Sequence, residues 1–224
     1  MTLKQSIPVA LLALLLPATA LAGSSAQMRA FSQLQARYAA ARAVWQPGLA
    51  GPHMVTGLAA HPAGRDAEAR SRTFLKRYRT LFGLRNAQLR LLQVEPSRLR
   101  EVVRFQQVAG ELPVLGRVVA VTFDRHGELL SVASDAVVLP AFKHGGLGAL
   151  AAAERAVRAV VKTRAGERVP KLATSAKEVV WASWGDARHA WAVRVTRTPG
   201  VEHLRVVVDA TDGRILQISN LVRH

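Results

Sequence analysis

Seven histidines and no cysteine set the range of chemistry open to this 224-residue chain. Without thiols there are no disulfides, thiolate nucleophiles or thiolate metal sites. Zinc peptidase chemistry needs two histidines one helical turn apart with a carboxylate base between them. No His-Glu-x-x-His occurs, and His53 and His61 have no acidic neighbour in sequence. The Gly-x-Ser-x-Gly elbow of serine hydrolases is absent as well. Gly145-Gly146-Leu147-Gly148 lacks the lysine and serine of a phosphate loop and follows no strand pattern, so it reads as a linker. Asp209 and Asp212 are spaced like paired carboxylates, yet the Asp212-Gly213 step explains both through backbone hydrogen bonds in a tight turn. The chain is therefore not expected to be an enzyme, and no catalytic, cofactor or metal-ligating residue is assigned.

Two constellations could bind rather than react. Trp181, Trp184 and Trp191, interleaved with Arg188 and Arg194, have the composition of a surface that stacks on bases or sugars. Alternation, however, puts Trp191 on the face of Val193 and Val195, where it packs in a core, while Trp184 beside Gly185-Asp186 belongs near a turn. Arg70, Arg72, Lys76, Arg77 and Arg79 cluster mostly opposite a Phe74/Tyr78 stripe. They read either as a solvated helix face or as a surface that docks on an acidic protein. The whole chain carries a formal charge of +16. Such a surface favours acidic proteins, anionic cell-wall polymer or membrane headgroups, and nucleic acid is not expected as the partner here.

The N-terminus adds a compartment. Lys4, an apolar run from Ile7 to Leu16, Pro17 and the small-residue end Ala18-Thr19-Ala20-Leu21-Ala22 describe a secretory signal peptide cleaved before Gly23. The run falls short of the about 20 apolar residues a spanning helix needs. With no cysteine to acylate, a secreted or periplasmic protein without integral membrane association is expected. Removing residues 1–22 takes away Lys4 alone and leaves 30 basic against 15 acidic residues, or +15.

The elements that hold these residues follow from periodicity. Phe31, Leu34, Tyr38 and Ala41 predict an amphipathic helix over Met28 to Trp45, and Gln46 to Gly64 reads as a surface connection. Phe74, Leu75, Tyr78, Leu81 and Phe82 predict a helix over Asp66 to Phe82, stopped at Gly83. Strands are expected at Leu89 to Val94, Glu101 to Val108, Arg117 to Asp124 and Glu128 to Val137. An alanine-rich helix over Leu150 to Val161 precedes a connection at Arg164 to Lys171, then strands at Glu178 to Trp184, His189 to Thr196, His203 to Asp209 and Arg214 to Ser219.

Helix followed by antiparallel sheet thus occurs twice. The fold class expected is α+β, with two tandem units, each an antiparallel sheet packed against a helix, and an extra N-terminal helix. The expected divisions are 1–22 signal peptide, 23–64 N-terminal helix and connection, 65–140 first unit, 141–148 linker, 149–220 second unit and 221–224 tail.

Val103-Arg-Phe-Gln-Gln107, Gly110-x-x-Pro113-Val-x-Gly116 and the Asp124-x-x-Gly127 turn stand in the order and spacing of the fungalysin/thermolysin propeptide motif, which the chain resembles. His189-Ala-Trp-Ala-Val-Arg-Val195 followed by Leu204-Arg-Val-Val-Val-Asp-Ala-Thr-Asp-Gly-Arg-Ile-Leu216 resembles a PepSY domain, which commonly comes second in such precursors. The departures are Ser134, where glycine is common, and Arg117 after Gly116, where small or acidic residues are frequent. The resemblance implies a propeptide-type inhibitor and folding chaperone of a thermolysin-like zinc metalloprotease, acting in trans because no catalytic sequence accompanies it. It also places Leu221, Val222, Arg223 and His224 where the family's chain runs toward the protease cleft, which makes them the partner-binding candidates; a frayed tail is the alternative. The rival functions are an exported module binding peptides or anionic cell-wall polymer, and a pro-region excised from a longer precursor.

Overall fold

The computed structural model describes residues 23–161, 173–183, 185–197 and 202–221. Among them, helix α1 (Ser25–Arg37) starts from a capping box in which the Ser24 hydroxyl accepts from the Gln27 N–H while the Gln27 side chain accepts from the Ser24 N–H. Helix α2 (Ala67–Arg77) is capped by the Asp66 carboxylate, which accepts from the Ala69 N–H at 2.8 Å. Helix α3 spans Ala149–Val160.

Strands β1 (Arg42–Val44), β2 (Met54–Ala60), β3 (Gln88–Pro96), β4 (Arg100–Ala109), β5 (Leu112–Asp124) and β6 (Leu129–Ser134) precede α3. After it come β7 (Ala173–Ser183), β8 (Asp186–Arg197), β9 (Glu202–Asp209) and β10 (Ile215–Asn220). The α+β class is as expected, but the strands form one ten-stranded sheet rather than two. Two separate sheets would need β5 to end at β6. Instead β5 carries β4 on one edge, and on the other edge β6 at Val119–Phe123 and then β7, through a parallel pairing of Val114 with Val180.

Helices α1 and α2 share one core and α3 has another. The α2 stripe Phe74, Leu75, Tyr78, Leu81 and Phe82 is buried against Phe105, Phe123, Val121 and Leu129, with Leu34 of α1 and Leu58 of β2 closing the same cluster. Across the junction, Ala152, Ala156 and Val157 of α3 pack on Val193, Val195, Val206 and Val208.

Three elements depart from the periodicity. The first helix stops at Arg37, and residues 42–44, expected in it, pair with β2 instead. Their helix propensity is overridden by backbone pairing, a tertiary gain that outweighs a few tenths of a kilocalorie per residue. The second helix stops at Arg77 rather than Phe82, although Tyr78, Leu81 and Phe82 stay buried in the turn that follows. Gly83 ends that turn with φ +66°, where an added Cβ would strike the Ala50 carbonyl. The expected connection over Gln46 to Gly64 contains β2, paired on both edges. Its alternation is hidden by a bulge between Thr56 and Ala60 around Gly57, so that Val55 and Leu58 both face the core.

Candidate functional site

The motif that spans β4 and β5 is a piece of backbone engineering. Gln106 faces Val118 and Val108 faces Pro113, so residues 114–117 leave the ladder as a bulge. A bulge strands carbonyls that the ladder would otherwise satisfy. The Gln106 amide answers this by donating to the Val114 carbonyl at 2.7 Å and the Arg117 carbonyl at 2.9 Å. Its neighbour Gln107 is 1% exposed and turns the other way. There it donates to the Val137 carbonyl at 2.9 Å and accepts from the Val137 N–H at 3.0 Å, fixing the segment that leaves β6. Two adjacent glutamines therefore hold two different stretches of chain.

The bulge is also where the two helix-covered regions meet. Val114, freed from β4, pairs with Val180, and Arg117 donates from Nη2 to the Ala182 carbonyl of β7 at 2.8 Å. The residue that departs from the propeptide pattern is thus a cross-link between sheet regions. Ser134, the other departure, is buried; its N–H donates to the His53 carbonyl at 2.8 Å, and its hydroxyl accepts from the Ala136 N–H. Asp124 closes the β5–β6 turn, accepting from the Glu128 and His126 N–H groups at 2.8 Å, and these bonds hold its carboxyl below the usual aspartate pKa.

The segment expected as a linker is clamped. Gly145 donates to Nδ1 of the buried His189 at 3.0 Å, Leu147 N–H donates to the Ala210 carbonyl, and the Trp191 indole donates to the Leu147 carbonyl at 2.7 Å. Gly145 lies so close to Ala210 that any Cβ would collide with its carbonyl, which explains glycine there without a phosphate. Trp191 packs with the Val193 and Val195 cluster, as its alternation implies, and Trp181 donates to the Gln217 side chain. Trp184 lies outside the described residues.

Asp209 and Asp212 are turn residues. Asp209 is 1% exposed; it accepts from Thr211 N–H at 2.7 Å and from Arg188 at 3.1 Å, while Asp212 accepts from Arg214 N–H. Burial works to raise the Asp209 pKa, but these donors outweigh it and hold the carboxyl below the ordinary value. His53 and His61 sit beside single carboxylates, Asp135 at 3.0 Å and Glu128 at 3.6 Å. Among the described residues no three His, Asp or Glu side chains gather where an ion could be held.

The basic cluster divides. Arg70 lies over the Phe123 ring and 3.6 Å from Glu101, and Arg72 lies over Phe105 and bonds Glu68 at 2.7 Å. Arg77 lies over Tyr78. Lys76 and Arg79 border a groove together with Arg72 and with Arg85, a residue the helix-face pattern missed because it lies beyond the helix end. Of the tail, Leu221 is described, its N–H continuing the β9–β10 ladder to the His203 carbonyl at 2.7 Å. Val222, Arg223 and His224 lie outside the described residues. Among the described residues no helix is long and apolar enough to cross a membrane.

Residues 100–136, from the start of β4 to just past β6, match the fungalysin/thermolysin propeptide motif. The match covers both glutamines, the bulge and the Asp124 turn. The chain is also similar to the Bacillus megaterium YpeB C-terminal domain, with 10% identity over 77% of this chain and 73% of that one and a TM-score of 0.39. No curated protein matches it.

Proposed function

We propose that this protein is an exported propeptide-type module that engages a thermolysin-like zinc metalloprotease as a separate chain, assisting its folding and inhibiting it. The observation that carries this reading is the match of residues 100–136 to the propeptide motif, where Gln106 and Gln107 bond to backbone carbonyls. A rigid surface of this kind lowers the ordering cost of association. A module that binds the native catalytic domain and not its unfolded chain stabilises the native form by linkage.

In this reading residues 65–140 are the propeptide-motif unit and 149–220 a PepSY-like unit, with residues 1–22 removed on export. The tail from Leu221 to His224 enters the partner's cleft, Leu221 and Val222 filling apolar subsites and the His224 imidazole or terminal carboxylate approaching the partner's zinc. Leu221, held by His203, is the point from which that tail departs.

The test is steady-state inhibition of a thermolysin-like catalytic domain by the protein with and without residues 221–224. Saturable inhibition that weakens about tenfold on deletion is expected, the loss of one well-filled contact region. An unchanged inhibition constant removes the tail from the mechanism. No inhibition and no gain in refolded enzyme favours the module that binds peptides or cell-wall polymer.

A further inference from the structure

We propose that the groove between α2 and the start of β3 binds an acidic polypeptide segment carrying aliphatic side chains. The groove encloses about 370 Å³ and is floored by Leu75, Leu84 and Leu89. That volume is at the lower end of small-ligand pockets, about 300–1,000 Å³. It has room for side chains of a short peptide stretch and not for a folded domain.

Lys76, Arg79 and Arg85 stand exposed on its rim, and no acidic side chain lines it. The fourth cation that lines the groove, Arg72, is already engaged with Glu68, and Arg70 on the same helix pairs with Glu101. Among the described residues Lys76, Arg79 and Arg85 form no ion pair; Arg85 is held only by a hydrogen bond to the Thr80 hydroxyl at 3.1 Å. Cations collected around an apolar floor without counter-charge are complementary to carboxylates on a chain that also offers leucine-like side chains.

Nucleic acid fits the site less well. Strand binding without sequence preference relies on aromatic faces open to bases. The aromatic that lines this groove is Phe105, which is fully buried, with the Arg72 guanidinium 4.9 Å from its ring centroid. The backbone edge of β3 is also partly closed here, because Arg72 donates to the Leu89 carbonyl. Recognition therefore works through side chains. This site does not rest on the metalloprotease reading, since any acidic polypeptide of this chemistry would serve.

The experiment titrates the full chain into a dye-labelled, end-capped peptide of alternating Glu and Leu and follows anisotropy. Saturable binding is expected, weakened about tenfold or more by the combined Lys76→Glu, Arg79→Glu and Arg85→Glu changes. A charge-matched control, Arg29→Glu with Arg98→Glu and Arg158→Glu, should change affinity less than about twofold. Gln-Leu and Glu-Ser peptides should both bind more weakly than Glu-Leu. The milder Arg79→Ala, at an exposed side chain, should weaken binding about threefold and guards against unfolding of the triple variant. Equal losses in the two triple variants, equal affinity for Glu-Ser, no binding, or tighter binding of an oligothymidylate would each overturn the proposal.

Discussion

The core beneath α2 is filled by Phe74, Phe82, Phe105 and Phe123 with Leu34, Leu58, Leu81 and Leu129, whereas α3 lays Ala152, Ala156 and Val157 on Val193, Val195, Val206 and Val208. An aromatic side chain removes far more apolar surface from water than a valine or alanine does. The region under α3 adds polar clamps to its smaller side chains: Asp209 with Arg188, His189 with Gly145, and Trp191 with Leu147. The region under α2 keeps its buried amides at the boundary, where Gln106 and Gln107 shape the bulge and the exit from β6. Both regions have buried hydrogen bonds, and they differ in the size of the side chains that fill their cores. The bulged strand β5 joins them.

The largest effect should come from the aromatic core. Phe105→Ala removes a fully buried ring from the centre of the α2 cluster, and a loss of about 3–5 kcal/mol in denaturant unfolding is expected. A loss no larger than that of Val193→Ala in the other region would erase the contrast between the two cores.

Asp209→Ala comes next. It leaves Thr211 N–H without its acceptor and removes the Asp209 bond from Arg188, which keeps Asp186, and about 1–3 kcal/mol should be lost. Hydrogen exchange should show the loss concentrated in α3 and β8 to β10 rather than around α2. The same variant sharpens the acid limb. The folded pKa of Asp209 lies below its unfolded value, so its contribution is present above the unfolded value and is lost as pH falls through the folded one. Stability of the unaltered protein should thus decline below about pH 4, and Asp209→Ala should make that decline shallower. A parallel acid limb would mean that Asp124 and Asp66, also held low by backbone N–H donors, dominate it.

Arg117→Ala should be the mildest. Losing its bond to the Ala182 carbonyl should cost about 0.5–1.5 kcal/mol. Its informative readout is cooperativity: with Arg117 removed, unfolding of the two regions followed by separate probes should begin to diverge. Coincident transitions would leave the Val114–Val180 pairing and the apolar contacts beside it as the sufficient joint.

Much of this architecture was legible where one periodicity ran unbroken. The Phe74 to Phe82 stripe, the alternating run at His189 to Val195 and the Asp212-Gly213 turn each have a local cause, and the structure places them as that cause requires. The misses share a different cause. Strand β2 is phase-shifted by its bulge at Gly57, and the three-residue β1, Arg42–Val44, pairs with β2 beside it. Gly145 reads as part of a linker in sequence and is tight because Ala210, far along the chain, sits against it. The roles of Gln106 and Gln107 were hidden for the same reason: their acceptors lie on strands and segments that only the fold brings near. Arg85 was missed because its approach to Lys76 and Arg79 comes from the turn after α2, outside the helical spacing.

The central claim is that this scaffold binds a metalloprotease. Calorimetric titration of the protein into a native thermolysin-like catalytic domain tests it most directly. Saturable heat, accompanied by a rise in the catalytic domain's unfolding temperature that grows with added protein, is the result expected from binding the native state alone. No heat and no shift with any thermolysin-like catalytic domain would contradict it.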